Sequence, residues 1–257
     1  MNYRKKHIKP KIRNLKPKKS IFKMRFFWFA ILIILLLTTV AYFILFSSRF
    51  NVSIIEILGN EKIKNNDIKS IVMIESGSRI FLVNKNKLAK KLLAEFPIIE
   101  MVTIKKRMPN KVILNIKERQ PFAIFCQDEK ICFFIDKNGV IFESTQNNQQ
   151  SIIIHKESND KEIFLGENVV NKNIIDIIYK VQKNLKDNFQ IDVKEILVSD
   201  TLVFTTAENW QIYFDPNSDI DLAITKMNIL LKDEIPANTR KNLQYLYLQY
   251  KDRVYYK

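Results

Sequence analysis

The sequence predicts an α+β protein: a single N-terminal transmembrane helix, then a β-α-α-β-β unit, then a C-terminal β-rich domain with two flanking helices. Three observations carry this. Phe26 to Phe46 is an unbroken run of twenty-one uncharged residues. Leu88, Leu92, Leu93 and Phe96 recur at helical spacing, and two alternating runs follow Pro97. Beyond about Arg119, short β-rich runs are separated by turn residues and by two helical patterns. The expected divisions are a basic cytoplasmic tail over 1–25, the membrane helix over 26–46, the first folded unit over 50–118 and the β domain over 119–257.

The run FFWFAILIILLLTTVAYFILF contains no Gly, Pro or charge. As a helix it spans about 31 Å, close to the hydrocarbon thickness of a bilayer. Lipid offers the backbone no hydrogen bonds, so a helix is the form that satisfies it. Thr38 and Thr39 can bond back to the preceding turn, and Trp28 and Tyr42 lie near the ends, where amphipathic rings favour the interface. A buried core helix is ordinarily shorter and carries a polar face. A cleaved leader has a shorter apolar region and small residues before its cleavage site, where this chain has Phe46. The run therefore reads as a permanent anchor. Residues 1–25 hold eleven Lys and Arg and no acid, whereas only Arg49 is basic between the run and Glu56. The positive-inside rule puts the tail in the cytoplasm and the rest outside it. Removing these eleven charges from the overall +15 leaves +4, so basicity belongs to the tail and not to the folded part. A polybasic tail can bind nucleic acid, but beside an anchor it serves topology and anionic lipid.

Phe50–Leu58 is β-rich and ends at Gly59-Asn60. Asn65, Asn66 and Asp67 are cap candidates for a short helix to Met73, which Glu75-Ser76-Gly77 breaks. Asn84 or Asn86 caps a second helix, about Lys87–Phe96. Strands Ile99–Arg107 and Lys111–Glu118 flank the turn Met108-Pro109-Asn110, with Val102 and Ile104 alternating on the first and Val112, Leu114 and Ile116 on the second. This suits a three-stranded sheet with two helices on one face.

In the second part, PFAIFC and KICFFID make a hairpin about Gln127-Asp128-Glu129. Asn138-Gly139 signals a two-residue turn leading into VIFE. Asp136 reads as turn chemistry, because the other spaced oxygen ligands of a calcium loop are missing. After a polar loop at Asn147–Gln150, a strand covers Ile152–His155. A helix over Asn173–Asn188 carries Ile174, Ile177, Ile178, Val181 and Leu185. Strands follow at Val193–Val198, Thr201–Thr206 and Gln211–Phe214. A helix over Asp219–Leu231 turns Leu222, Met227, Leu230 and Leu231 inward, and the last strands are Leu243–Gln249 and Arg253–Tyr256.

No catalytic or metal constellation emerges. His7 and His155 are the only histidines, and His155 ends an apolar strand-like run. There is no nucleotide-binding loop and no zinc-type pair. No cofactor, small-molecule substrate or nucleic acid is implied, and scattered carboxylates leave a hydrolase without a grouped acid/base pair. Cys126 and Cys132 fall opposite one another if the hairpin centres on Glu129. Two readings stay open for them: a disulfide in an oxidising compartment, or two small buried thiols.

The strings I-L-G-N at Ile57–Asn60, I-F-L-V at Ile80–Val83 and the run from Phe96 to Pro121 resemble a POTRA (polypeptide-transport-associated) domain. Together with E-R-Q-P at Glu118–Pro121 and D-K-N-G-V-I-F at Asp136–Phe142, the whole order is similar to the FtsQ/DivIB family of cell-division proteins. The resemblance implies a non-enzymatic divisome scaffold: a single-pass inner-membrane protein of type II orientation at the septum, with periplasmic domains that link early and late division proteins and control septal wall synthesis. It implies as partners FtsB/FtsL-like bitopic division proteins and other divisome components, recruited at an exposed C-terminal sheet edge. The chain as given stops at Lys257, directly after a strand-like run, so that edge is expected to be open. The residues assigned to it are Tyr247, Tyr250, Arg253, Val254, Tyr255 and Tyr256. Alternation puts Tyr245, Tyr247 and Gln249 on one face and Leu246, Leu248 and Tyr250 on the other. Where the family often has Asp-Leu-Arg-Tyr, this chain has Tyr247-Leu248-Gln249-Tyr250: that Asp/Arg pair is missing and the aromatic cluster is kept. The competing reading of these tyrosines is that they cap the core. The alternative function is a POTRA-based transport or secretion accessory at the inner membrane.

Overall fold

The computed structural model describes residues 25–73, 78–128, 131–145, 151–157 and 162–257. The expectations for the basic tail up to residue 24, the break at 75–77, the hairpin centre at Glu129 and the loop at 147–150 lie outside the described residues. Helix α1, Arg25–Phe46, is long and apolar enough to cross a bilayer. Apart from the half-buried Phe27, its described apolar side chains are exposed, as a lipid-facing helix requires. Thr38 and Thr39 both donate to the Leu35 carbonyl, at 2.9 and 2.7 Å, and so hide their hydroxyls against the helix.

A 3-10 turn, Ser48–Phe50, leads into the first unit: β1 (Ile54–Leu58), α2 (Asn65–Met73), α3 (Lys85–Glu95), β2 (Ile99–Arg107) and β3 (Lys111–Glu118). The sheet order is β1-β3-β2, with β1 parallel and β2 antiparallel to the central β3. Gly59 ends β1 at φ +82°, and a Cβ there would lie 2.3 Å from the Ile116 carbonyl oxygen, so this turn needs glycine. The core joins Ile68 and Val72 of α2, Leu88 and Leu92 of α3, and Ile104, Val112, Leu114 and Ile116 of the sheet. Asn84, not Asn86, caps α3, accepting from the Lys87 N–H at 3.1 Å. The expected apolar face of α3 was too wide. Leu93 is exposed and Phe96 half-buried. Five residues beyond Leu88, Leu93 has rotated off the buried stripe.

The remaining elements are β4 (Ala123–Cys126), β5 (Cys132–Ile135), β6 (Ile141–Thr145), β7 (Ile153–Lys156), α4 (Lys172–Phe189), β8 (Val193–Val198), β9 (Leu202–Thr206), β10 (Gln211–Phe214), α5 (Ile220–Ile229) with a π turn Leu230–Glu234, β11 (Tyr245–Tyr247) and β12 (Tyr255–Tyr256). They form one nine-stranded sheet of order β12-β11-β10-β9-β8-β7-β4-β5-β6. The helices arise where parallel neighbours must be joined: α4 connects β7 to β8, and α5 connects β10 to β11. One register row, Phe125–Ile154–Ile196–Phe204–Ile212–Leu246, is wholly buried in the core that α4 and α5 share.

Three local expectations are corrected. The buried stripe of α4 is Ile175, Ile178, Val181 and Leu185, while Ile174 and Ile177 pack at its margin. In α5, Ile220, Ala223 and Met227 face inward and Leu222 is exposed. The turn before β6 is not a two-residue type I′ turn. That type needs positive φ at both central residues, and Gly139 has it but Asn138 does not. Asp136 instead organises a longer loop, accepting from the Asn138 and Val140 N–H groups at 2.8 and 2.9 Å. Cys126 and Cys132 are directly opposed across β4 and β5, with their Sγ atoms 1.99 Å apart. They pack with Ile124, Ile153 and Phe134 in a small second core on the other face of the sheet.

Candidate protein-docking site

The sheet ends on β12, which pairs antiparallel with β11 and has no further strand beside it among the described residues. Lys257 exchanges bonds with Tyr245, its N–H reaching the Tyr245 carbonyl at 3.3 Å and its carbonyl accepting at 3.4 Å. Antiparallel pairing alternates inward- and outward-bonding residues, so the preceding residue, Tyr256, turns its N–H and C=O to the open side. That is the geometry an added strand needs.

Side chains reinforce this edge. Tyr255 stands opposite Tyr247, which in register stands beside Tyr213. The Tyr213 and Tyr247 rings are 4.4 Å apart, and those of Tyr245 and Tyr247 are 4.8 Å apart. Tyr250, in the loop between β11 and β12, meets Tyr255 edge-on at 5.6 Å. Burial pushes the Tyr213 phenol above its ordinary value of 10, and Tyr247 pushes it the same way. It therefore stays protonated and donates to Gln211 Oε1 at 2.6 Å. Beside Tyr250, a cleft of about 280 Å3 opens between α5 and the loop, lined by Asp219, Leu222, Lys226, Leu248 and Gln249.

The approach to this edge is pinned from below. Arg240, just before β11, is buried and forks onto Glu208 of the β9–β10 turn, Nε to Oε2 at 2.7 Å and Nη2 to Oε1 at 2.8 Å. Trp210, fully buried, donates its indole N–H to the same carboxylate at 2.9 Å. The Arg240 hydrogen bond is the main cause that lowers the Glu208 pKa from 4.5. Partial burial works against it, and the Trp210 bond and the charges of Arg240 and Lys241 support it. Leu246 and Leu248 are buried beneath, and Val254 packs on the same core.

A second polar cluster joins the two sheets. The buried Glu118 carboxylate at the end of β3 accepts from the N–H groups of Glu61, Lys62 and Ile63 at 2.9–3.1 Å. Arg119 follows it: Nε donates to the Pro97 carbonyl at 3.0 Å and Nη1 meets Asp136 Oδ2 at 2.6 Å. Asp136 is 1% exposed. The E-R-Q-P string thus encodes a joint between the first unit and the β5–β6 loop.

Residues 50–119 match the family described as POTRA domain, FtsQ-type. The cell-division protein DivIB of Clostridium tetani is 27% identical over 213 residues, 80% of this chain and 78% of that protein. DivIB of Clostridium botulinum strain Loch Maree is 29% identical over 72% of this chain and 74% of its own length. The cell-division protein FtsQ of Chloroflexus aurantiacus is 29% identical over 46% of this chain and 43% of its own. Residues 50–119 are thus an FtsQ-type POTRA domain, and the chain is similar along most of its length to DivIB cell-division proteins. Its apolar N-terminal helix fits a single-pass membrane protein, and its relatives give it a role in cell division.

Within this DivIB-like chain, the six assigned edge residues divide. Tyr250, Arg253, Tyr255 and Tyr256 are exposed, whereas Tyr247 and Val254 are half-buried. Tyr256 stands opposite Leu246, on the face away from Tyr247 and Tyr255. The last two strands are shorter than expected: β11 covers only Tyr245–Tyr247, and Arg253 and Val254 lie in the loop before β12. Sequence reasoning passed over Tyr213, which joins the tyrosine row through strand pairing. The alternation in Gln211–Phe214 carried the signal, but the parallel register with β11 did not show in it. The Glu208–Arg240 pair had no sequence signal, since thirty-two residues separate the partners.

Proposed function

We propose that this chain is a non-enzymatic divisome scaffold. Residues 1–25 lie in the cytoplasm, α1 spans the membrane, and both sheets work outside the cytoplasm at the septum. Its partner is an FtsB/FtsL-like bitopic division protein, whose extracytoplasmic segment adds to β12 and anchors on Tyr250 and Tyr255. The observation that carries this reading is the open β12 edge flanked by exposed aromatic rings: backbone pairing gives affinity in such an arrangement and side chains give specificity. Tyr and Arg, the side chains at this edge, are enriched at binding hot spots. The POTRA domain then places that edge at a fixed distance from the membrane through the Glu118–Arg119 joint.

Three reporter fusions test the cellular part. Alkaline phosphatase fused after Lys257 should be active and the same enzyme fused before Met1 inactive, and a fluorescent fusion should gather in a midcell ring. The opposite phosphatase pattern, or an even envelope signal, would overturn the assignment.

A further inference from the structure

Phe81 and Leu82 form an exposed apolar pair on a turn of the POTRA domain. Leu82 is 71% exposed, more than any other large apolar side chain described outside α1. The turn is not loose. Ile80 and Val83 on either side are buried, the Leu82 N–H donates to the Arg79 carbonyl at 2.8 Å, and Lys106 Nζ donates to the Phe81 carbonyl at 3.1 Å. Four anchored points hold two greasy side chains in water, an arrangement that a solvent-facing turn does not need.

The turn also has a defined place. The Ile80 N–H donates to the Phe50 carbonyl at 2.8 Å, and the Phe50 and Phe81 rings are 5.3 Å apart. The Arg79 guanidinium lies 4.7 Å from the centre of the Phe46 ring, and Phe46 is the last residue of α1. A group touching the end of a spanning helix is at headgroup depth. Charge agrees with that position. Residues 78–94 contain Arg79, Lys85, Lys87, Lys90 and Lys91 and no acid, Lys106 reaches the turn through its Nζ, and Arg49 directly precedes Phe50 in the sequence.

We propose that the 79–83 turn is a membrane-contact element. Phe81 and Leu82 enter the boundary between headgroups and acyl chains of an anionic bilayer, and Arg49, Arg79 and Lys106 lie against its phosphates. Buried apolar area and attraction to anionic lipid act together in such contacts. The contact holds the POTRA domain down on the bilayer and limits its swing about the short Ser47–Asn51 connection. The inference rests on α1 spanning the membrane and is independent of which side the domain occupies.

The test uses the full chain reconstituted in nanodiscs of phosphatidylglycerol or of phosphatidylcholine. An environment-sensitive fluorophore is attached at Leu82→Cys, at Leu36→Cys within α1, or at Leu222→Cys on α5 as an exposed apolar control. In phosphatidylglycerol discs the label at 82 should be shifted to the blue, quenched by lipid-borne spin labels and lose most of its quenching by aqueous acrylamide. In phosphatidylcholine discs that protection should weaken, and Lys106→Glu should weaken it in both. A label at 82 as open to acrylamide as the one at 222, while 36 is quenched from the lipid, overturns the proposal. Protection from acrylamide without quenching from lipid also overturns it, in favour of a protein occupant. A label at 36 that lipid quenchers do not reach refutes the spanning helix itself.

Discussion

Replacing Asp136 by Ala removes four interactions at once: the Arg119 ion pair at 2.6 Å, the two N–H groups that its Oδ1 holds in the loop before β6, and the Asn138 side-chain amide that donates to its Oδ2 at 3.2 Å. Solvent offers little replacement, because the side chains of Arg119 and Asp136 are only 15% and 2% exposed. Breaking a buried pair from one side costs about 3–5 kcal/mol, largely because the remaining charge stays buried. A kilocalorie moves Tm by about 2–4 °C in a domain of this size, so the fall should be about 6–20 °C. Calorimetry of the full chain in detergent measures it. Asp136→Asn keeps an acceptor for the two N–H groups and should fall between Asp136→Ala and the parent. Arg119→Ala combined with Asp136→Ala should cost less than the sum of the single changes, since the second removes a charge the first has stranded. If Asp136→Ala lowered Tm by only a degree or so, or the two changes were additive, the joint would be a surface contact and not a lock between the sheets.

Two further outcomes follow from the same structure. The Glu208 pKa is lower in the folded protein than its ordinary 4.5, so its contribution is present above that value and is lost as pH falls through the folded pKa. Glu208→Gln should therefore flatten the loss of stability below about 4.5 in denaturation midpoints measured against pH. If Cys126 and Cys132 are bridged in the cell, protein isolated from the envelope and alkylated without reductant should carry no label on either residue, by mass spectrometry. Labelling of both would place the hairpin in a reducing compartment or leave it unbridged.

Much of the POTRA unit was legible because its signals are local. The alternation of Val112, Leu114 and Ile116 set β3, and Pro97 with Leu88 and Leu92 set the end and face of α3. Period alone misjudged Leu93, Ile174 and Leu222. These are apolar residues at the margin of a helical stripe, and which margin is covered depends on the sheet beneath. The turn before β6 misled for a different reason: Asn-Gly has a strong local preference, but Asp136 supplies two acceptors that stabilise a wider loop. At the docking edge, the residue set came from strand patterning and family resemblance, whereas its order within the sheet did not. The parallel pairing of β11 with β10, which brings Tyr213 beside Tyr247, depends on the α5 crossover and is invisible to a strand-by-strand reading.

Strand addition at β12 is the central claim, and the most direct measurement is partner binding by variants of that edge. Purified full-length chain is titrated with the extracytoplasmic segment of an FtsB/FtsL-like partner, with circular dichroism confirming the fold of each variant. Tyr250→Ala should weaken binding about 30-fold, the effect of a hot-spot loss of about 2 kcal/mol. Tyr256→Pro deletes the outward N–H without touching the Tyr250–Tyr255 contact. It should weaken binding by a similar factor if the partner pairs through its backbone. Undiminished binding by a folded Tyr256→Pro variant would contradict strand addition, and undiminished binding by both variants would move the partner away from this edge altogether.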